Sequence, residues 1–209
     1  RERHVITPVE LNNSWAFYRS IDFGFVNESA VLFAAITENN TLYIYDLIYK
    51  AGLTTPELGL LIQQRSSGRN FTNTFADSAQ AGDIEQLKRY GLGVTAVSKT
   101  SGAVNEDWTG YKIRRVTEML RSDRLKIFSG CEKLIEELEN YQYCEVKEGA
   151  TVKEIPLKLR DHAVDALSYL ICSLPEYIQP VFEQHAYAPP VNRWEKMEAA
   201  GQKPWRIGR

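Results

Sequence analysis

The sequence predicts an α/β domain with a mixed β-sheet and helices on both of its faces. Three strand-like apolar segments follow one another with short turns between them, which predicts an antiparallel meander. Strand and helix patterns then alternate along the chain, which favours parallel strands joined by right-handed crossovers. Across all 209 residues, 44% are hydrophobic and 25% are charged, as in globular proteins, and this excludes disordered, collagen-like and coiled-coil chains.

The opening meander is predicted from β-rich runs that end at turn residues. Residues 17–23 form the first run and end at Gly24, and residues 29–36 form a nearly continuous apolar run. The pair Asn39-Asn40 supplies a turn before the third run at residues 41–49.

Helical spacing begins at Thr55, which we expect to be an N-cap because a proline and an acidic residue follow it directly. The long helix that comes later is amphipathic, with Lys112, Arg114 and Arg115 predicted to face outward. The elements after the first helix are, in order, a strand at 72–77, a helix at 82–90, a strand at 93–97, a helix at 105–121, a strand at 125–128, a helix at 131–139, a β-hairpin at 141–155 and a helix at 160–174.

Composition along the chain predicts one domain with two flanking segments. Residues 1–14 are a polar lead-in, residues 15–175 form the domain, and residues 176–209 are an irregular, proline-containing tail. The chain begins without Met or a secretory signal, so we expect it to be a piece of a longer protein.

No apolar run approaches the roughly 20 residues of a membrane span. Three separated cysteines without a CxxC pair argue against a structural zinc site and favour a reducing compartment.

Two aspartates are predicted to follow strands directly. Asp22 lies between apolar residues at the end of the first strand, and it either caps the turn at Gly24 or binds a cation. Asp77 ends the fourth strand, and it is either a loop or helix-cap residue or part of the same site. Ligand sites in open α/β sheets gather at the carboxyl ends of strands, so the two carboxylates could meet there.

A third acidic group lies on the last predicted helix. His162 and Asp165 are three residues apart and can share a helix face with Asp161, which we expect to be the N-cap. His162 is either a half-buried surface imidazole or part of the site. Carboxylates without clustered thiolates or histidines suit Mg²⁺ rather than zinc. Two such ions about 4 Å apart can clamp the attacking and leaving oxygens of a phosphodiester.

On these residues the sequence resembles the nuclease domain of the large terminase subunit of tailed bacteriophages, within the ribonuclease-H-like superfamily. The resemblance covers about residues 18–174, and its motifs are Ser-Ile-Asp-Phe-Gly at 20–24, Ala-Asp-Ser-Ala at 76–79 and Asp-His-Ala-Val-Asp-Ala-Leu-Ser-Tyr at 161–169. It implies a ribonuclease-H-like mixed sheet with an extra β-hairpin, and an endonuclease that cuts concatemeric double-stranded DNA with two Mg²⁺ or Mn²⁺ ions. The residues that it implies for the site are Asp22, Asp77 and Asp165 as metal ligands, His162 as a catalytic helper and Glu28 as an occasional further ligand.

The resemblance also implies partners and a location. It places Lys99 near the scissile phosphate, and the further candidates for DNA contact are Lys112, Arg114 and Lys158. Its expected partners are an N-terminal packaging ATPase, the portal and the small terminase, in the host bacterial cytoplasm and without a membrane. The chain itself contains no G-x-x-x-x-G-K-[ST] phosphate loop. The alternatives are a Holliday-junction resolvase of similar fold, an actin-like ATPase that would need a second lobe, and a non-catalytic docking module of the packaging machine.

Overall fold

The computed structural model describes residues 2–66, 68–99, 107–141 and 161–174. Its strands are β1 Val5–Ile6, β2 Ala16–Asp22, β3 Glu28–Ile36, β4 Leu42–Ala51, β5 Phe71–Asp77, β6 Val94–Val97 and β7 Leu125–Phe128. Its helices are α1 Thr55–Arg65, α2 Ala81–Arg89, α3 Trp108–Arg121, α4 Glu132–Glu139 and α5 His162–Ser173. The predicted β-hairpin beyond Tyr141, Lys158 and the tail at 176–209 lie outside the described residues. None of the helices in the described ranges has both the length and the apolar character to cross a bilayer.

The seven strands form one mixed sheet in the order β1-β7-β4-β3-β2-β5-β6. Strands β2, β3 and β4 are the antiparallel meander, while β5 and β6 add in parallel beside β2. On the other side β7 pairs in parallel with β4, and β1 pairs in parallel with β7. The predicted mixed sheet is therefore confirmed.

Two hydrophobic clusters cover the two faces of this sheet. One cluster joins the sheet to α3, α4 and α5, and the other joins it to α1 and α2. Strand β3 contributes to both, because Leu32 and Ala34 belong to the first cluster while Val31 and Phe33 belong to the second. All four are fully buried, which explains why this strand appears in the sequence as a continuous apolar run. A slip of one residue would exchange the two faces, so the register that positions the strand ends is strongly specified.

Two local details differ from the sequence-based expectations. The N-cap of α1 is Thr54 rather than Thr55, since the Glu57 carboxylate accepts from the Thr54 amide at 2.8 Å and from its hydroxyl at 2.7 Å. Thr55 instead donates its hydroxyl to Asp83 on α2. Strand β1 was not predicted within the polar lead-in, because two residues are too few to show an alternating pattern.

Gly24, directly after β2, makes the turn that follows Asp22 possible. Its amide donates to the Ser29 hydroxyl at 3.1 Å, and that hydroxyl donates to the Gly24 carbonyl at 2.6 Å. A Cβ at this position would lie 2.8 Å from the Asn27 carbonyl oxygen and closer still to that of Glu28. Both obstacles are backbone atoms, so a side chain here requires the turn itself to move.

We therefore expect Gly24→Ala to lower the free energy of unfolding by about 1–3 kcal/mol, through the overpacking of this turn. The matched control is Gly82→Ala in α2, where an added Cβ meets nothing within 4 Å. That variant should be more stable by about 0.5–1 kcal/mol, because alanine favours the helix. Urea denaturation of the three proteins measures both effects, and equal stability of Gly24→Ala and the unsubstituted chain would contradict the expected clash.

Candidate active site

Three elements bring the three predicted carboxylates to one end of the sheet. Strands β2 and β5 are parallel neighbours with Ile21 opposite Ala76, so Asp22 and Asp77 leave the sheet side by side. Helix α5, which carries Asp165, packs against β2, β3 and β5. Asp22 consequently lies within electrostatic reach of both Asp77 and Asp165.

Asp22 is the most buried of the three carboxylates. Its side chain is only 13% exposed, and burial raises the pKa of this carboxyl to about 6. The negative charges of Asp165 and Asp77 act in the same direction, while a hydrogen bond with His162 opposes them. The His162 Nδ1 lies 2.9 Å from Asp22 Oδ2. A buried carboxylate among like charges is stabilised by any cation that binds there.

His162 is the first residue of α5 and faces this site rather than open solvent. Burial acts to lower the pKa of its imidazole, but the hydrogen bond to Asp22 and the Asp22 charge outweigh burial and raise it. The charges of Asp161 and Glu137 add to the upward shift. The ring therefore holds its proton more firmly than a free histidine does.

Asp77 serves both as a turn residue and as part of the site. One oxygen, Oδ1, accepts from the Ala79 amide at 2.9 Å and caps the short 3₁₀ turn Ser78–Gln80. The same oxygen is 2.6 Å from the Lys99 ammonium, and Oδ2 accepts from the Tyr169 hydroxyl at 3.1 Å. Burial would raise the pKa of Asp77, but the Ala79 and Lys99 hydrogen bonds and the Lys99 charge together hold it below its usual value.

Asp165 forms an ion pair with Lys112, and this corrects the expectation that Lys112 faces outward. The Lys112 side chain is 11% exposed and that of Asp165 is 19% exposed. Helix α3 turns Lys112 and Val116 inward, and it packs against α5. The aliphatic stem is buried while the ammonium meets a carboxylate 53 residues away in sequence, a pairing that helical periodicity does not reveal.

The other basic residues of α3 are more exposed. Arg114 is exposed, as expected, and its guanidinium lies 2.6 Å from Glu118. Arg115 is half-buried and lies 3.3 Å from the same carboxylate. DNA contact by Lys99, Lys112, Arg114 and Lys158 stays a prediction.

Two further acidic residues that the sequence suggested lie at the starts of β3 and α5. Glu28 occupies the first position of β3, opposite Ala51 on β4, and its part as an extra metal ligand stays a prediction. Asp161 occupies the N-cap position of α5, but its side chain makes no capping hydrogen bond. The cap comes instead from Glu137 on α4, whose Oε2 accepts from the amides of Ala163 at 2.7 Å and Val164 at 3.0 Å.

Sequence reasoning gave no role to Tyr169 or Glu137. Tyr169 follows Asp165 by four residues, so the helical spacing placed both on one face and could have indicated it. Burial and the charges of the three aspartates raise the pKa of Tyr169, which keeps its hydroxyl protonated as a donor to Asp77. Glu137 carried no such signal, because it caps a helix that begins 25 residues later in the chain.

The donor set matches hard divalent cations in its chemistry. Three carboxylates supply oxygen ligands of the kind that Mg²⁺ and Mn²⁺ prefer. Within the described ranges, however, no group of three or more His, Cys, Asp or Glu side chains forms a preassembled metal site. Lys99 and Lys112 hold the oxygens of Asp77 and Asp165 instead. A metal would therefore compete with these two lysines for the carboxylate oxygens.

A family model described as the terminase ribonuclease-H-like domain matches residues 22–172, a range that contains all three aspartates. Comparison with curated protein sequences finds no match.

Among solved structures, the chain superposes on a large terminase from a thermophilic bacteriophage with a TM-score of 0.71 and 19% identity, over 83% of this chain and 43% of that one. The nuclease domain of the large terminase from bacteriophage SPP1, with bound Mn, gives 0.58 and 15% over 79% and 93% of the two chains. The large terminase nuclease from thermophilic phage G20c, with bound magnesium, gives 0.60 and 17% over 85% and 95%. At these identities the likeness establishes the fold, and the chain spans less than half of the first of these proteins.

Proposed function

The chain belongs to the family of terminase ribonuclease-H-like domains, and on this basis we propose that it is a divalent-metal-dependent endonuclease that cuts concatemeric double-stranded DNA during viral genome packaging. One observation supports this proposal most directly. Asp22, Asp77 and Asp165 converge from β2, β5 and α5 beside the carboxyl ends of these two strands, where the pKa of Asp22 is raised to about 6.

Two Mg²⁺ or Mn²⁺ ions are the proposed cofactors, one held by Asp22 and Asp77 and the other by Asp22 and Asp165. When bound, such ions supply Lewis-acid activation of water and neutralise charge on the departing oxygen. Relatives with bound Mn and magnesium support the choice of ions. The reaction adds water across the phosphodiester and breaks the bond from phosphorus to the 3′ oxygen, leaving 5′-phosphate and 3′-hydroxyl ends.

The chain's own residues orient this chemistry. His162 fixes the position of Asp22 through the 2.9 Å contact at Nδ1, and this hydrogen bond and the Asp22 charge raise the pKa of its imidazole. Tyr169 fixes Asp77 through its hydroxyl. Lys99, half exposed beside Asp77, is placed to contact the phosphate of a DNA strand that approaches the carboxylates.

The proposed partners follow from the family. They are double-stranded DNA, a packaging ATPase domain on the N-terminal side in the full protein, the portal and the small terminase. The proposed location is the cytoplasm of the bacterial host. The large terminase that matches over 43% of its own length supports the presence of a further domain in the full protein.

Metal removal tests the proposal. The chain should convert supercoiled plasmid to nicked and linear forms in Mg²⁺ or Mn²⁺, lose this activity in excess EDTA, and regain it when the ion is restored. Gel electrophoresis of the plasmid measures all three conditions. A folded chain that cleaves no DNA with either ion would overturn the proposal and favour the docking module, whereas preference for four-way junctions over linear duplex would favour a resolvase.

A further inference from the structure

Each of the three site aspartates is paired with a lysine or histidine side chain of the protein itself. The Lys99 ammonium lies 2.6 Å from Asp77, Lys112 forms an ion pair with Asp165, and the His162 ring lies 2.9 Å from Asp22. These partners allow three carboxylates to lie together in a partly buried site, because burying an unpaired carboxylate costs desolvation free energy. The two lysines thus offset part of the site's negative charge without any metal.

The same pairs oppose metal binding. A divalent cation on Asp77 or Asp165 would lie within a few ångströms of an ammonium, where two positive charges repel strongly in a partly buried site. The Oδ1 atoms of Asp77 and Asp165 also already accept hydrogen bonds from the two lysine ammonium groups. A metal ion therefore binds fully only when the lysines move away from the carboxylates.

We propose that Lys99 and Lys112 are exchangeable counter-ions: divalent metal displaces them from Asp77 and Asp165, and the released ammonium groups bind DNA phosphates. This inference rests on the proposed nuclease function and adds to it a coupling between its two ligands. Metal binding frees two cations for DNA, and DNA that holds those cations frees two carboxylates for metal. By thermodynamic reciprocity each ligand strengthens the binding of the other.

The two lysines differ in how readily they can exchange. The Lys99 side chain is 37% exposed, and its ammonium also lies 5.9 Å from the Tyr169 ring centroid. The Lys112 side chain is only 11% exposed and is held on α3 against α5. Solvent screening weakens the first pair more than the second. The ion held by Asp22 and Asp77 should therefore bind first, and the ion that needs Asp165 should bind last.

Lysine suits this role better than arginine would. Its ammonium is a compact point charge on a flexible stem, which can turn from a carboxylate to a phosphate without losing a bidentate geometry. A phosphate that is drawn to cations on Asp165 necessarily approaches Lys112 as well. The buried lysine thus becomes a DNA-contacting residue only in the metal-bound state.

Metal affinity measured without DNA tests the exchange. Isothermal calorimetry with Mn²⁺ compares the unsubstituted chain with Lys112→Met, Lys99→Met and the control Lys88→Met, which alters an exposed lysine paired with Glu85 on α2. Loss of the ammonium at Lys112 should tighten Mn²⁺ binding by roughly tenfold, and loss at Lys99 by a few-fold, since the exposed pair is better screened. Lys88→Met should leave the affinity unchanged.

An unchanged or weaker Mn²⁺ affinity in Lys112→Met would overturn the inference. If that variant does not fold, Lys99→Met carries the same test with the smaller shift. A failure of the proposed function looks different, because the unsubstituted chain would then neither bind Mn²⁺ nor cleave plasmid. A chain that cleaves plasmid while its lysine variants keep its Mn²⁺ affinity would overturn this inference alone.

The salt dependence of DNA binding tests the released charges. The logarithm of the affinity for a short duplex falls linearly with the logarithm of the salt concentration. We expect the magnitude of this slope to be larger with Ca²⁺ than without a divalent ion, by about 0.9 for each lysine released. Ca²⁺ binds the same kind of oxygen ligand, and gels of the recovered duplex confirm that it stays intact. The added slope should disappear in the double Lys99→Met, Lys112→Met variant. Equal slopes with and without Ca²⁺ in the unsubstituted chain would contradict the exchange.

Discussion

Asp22→Asn is expected to reduce plasmid cleavage in Mg²⁺ or Mn²⁺ by at least about 10³-fold, because several kcal/mol of charge stabilisation would be lost with the metal ligand. Asparagine has nearly the same shape and can still accept a hydrogen bond at the position of Asp22 Oδ2, which is 2.9 Å from His162 in this chain. It carries no charge, however, and it cannot hold two divalent cations. Initial rates of supercoiled plasmid nicking measure the loss.

Asp46→Asn is the matched control for the loss of one aspartate charge. Asp46 lies on β4 and pairs with Arg65 at 2.9 Å, in a partly exposed position. Loss of such a pair costs at most about 1 kcal/mol of stability and should leave cleavage unchanged. Cleavage by Asp22→Asn at the rate of this control would show that Asp22 holds no catalytic metal.

The same Asp22→Asn variant should be more stable than the unsubstituted chain when metal is absent. The pKa of Asp22 is raised to about 6 in the folded state, mainly by burial and further by Asp165 and Asp77, whereas an unfolded aspartate has a pKa of about 3.9. The folded state therefore binds more protons between these values, so this group's contribution to stability falls as pH rises from about 4 to 6. Above pH 6 the cost of the ionised group is fully present.

Urea denaturation in EDTA measures this difference. The variant should exceed the unsubstituted chain by about 1–3 kcal/mol at pH 7.5 and by much less at pH 4, because the asparagine does not ionise. Saturating Mn²⁺ should reverse the order, since only the intact carboxylate is stabilised by the ion. A variant that is less stable than the unsubstituted chain in EDTA at pH 7.5 would show that the Asp22 charge is already compensated by His162.

The sequence predicted best those elements that have a clear hydrophobic pattern or a clear end residue. Strand β3 is buried on both faces and therefore appears as an uninterrupted apolar run, and β2 and β5 each end in an aspartate after apolar residues. Parallel neighbours bring their carboxyl ends to one edge, which is why the sequence alone could place Asp22 and Asp77 together. These inferences need only local spacing and the geometry of a sheet.

Contacts between residues far apart in the chain could not be predicted from the sequence. Helical spacing predicted that Lys112 is a solvated charge on α3, and only the packing of α3 against α5 turns it towards Asp165. Asp161 occupies the N-cap position of α5, as expected, yet the hydrogen bonds to the first amides of the helix come from Glu137 on α4. In each case a buried charge is stabilised by a partner that no local pattern reveals.

Glu137 is the residue whose loss should most affect both the fold and the proposed site. It is buried in α4, and its Oε2 accepts from the amides of Ala163 at 2.7 Å and Val164 at 3.0 Å. These amides begin α5, the helix that carries His162 and Asp165. Burial raises the pKa of Glu137, while hydrogen bonds from Tyr49 and the two amides oppose that shift by stabilising the charged form. A carboxylate at a helix N-terminus also interacts favourably with the helix dipole.

Glu137→Ala is expected to lower the free energy of unfolding by about 2–4 kcal/mol, because two buried donors lose a charge-assisted acceptor. Glu137→Gln keeps one acceptor oxygen and should lose only about 1 kcal/mol. The control is Glu136→Ala, which removes an exposed carboxylate 2.6 Å from Lys133 and should stay within about 0.5 kcal/mol of the unsubstituted chain. Urea denaturation ranks the four proteins.

Cleavage rates of the Glu137 variants show whether this residue positions α5 for catalysis or only stabilises the fold. If the cap sets where α5 begins, Glu137→Ala should lower kcat about 10- to 100-fold at saturating DNA and metal, since misplacement of a ligand by about 1 Å costs that much. Glu137→Gln should restore most of kcat, because the amide oxygen can still accept from the α5 backbone. KM for DNA should change little, because the Glu137 side chain is buried in α4 and is not exposed to bind DNA. A destabilised but folded Glu137→Ala protein with an unchanged kcat would limit this residue to holding α4 and α5 together.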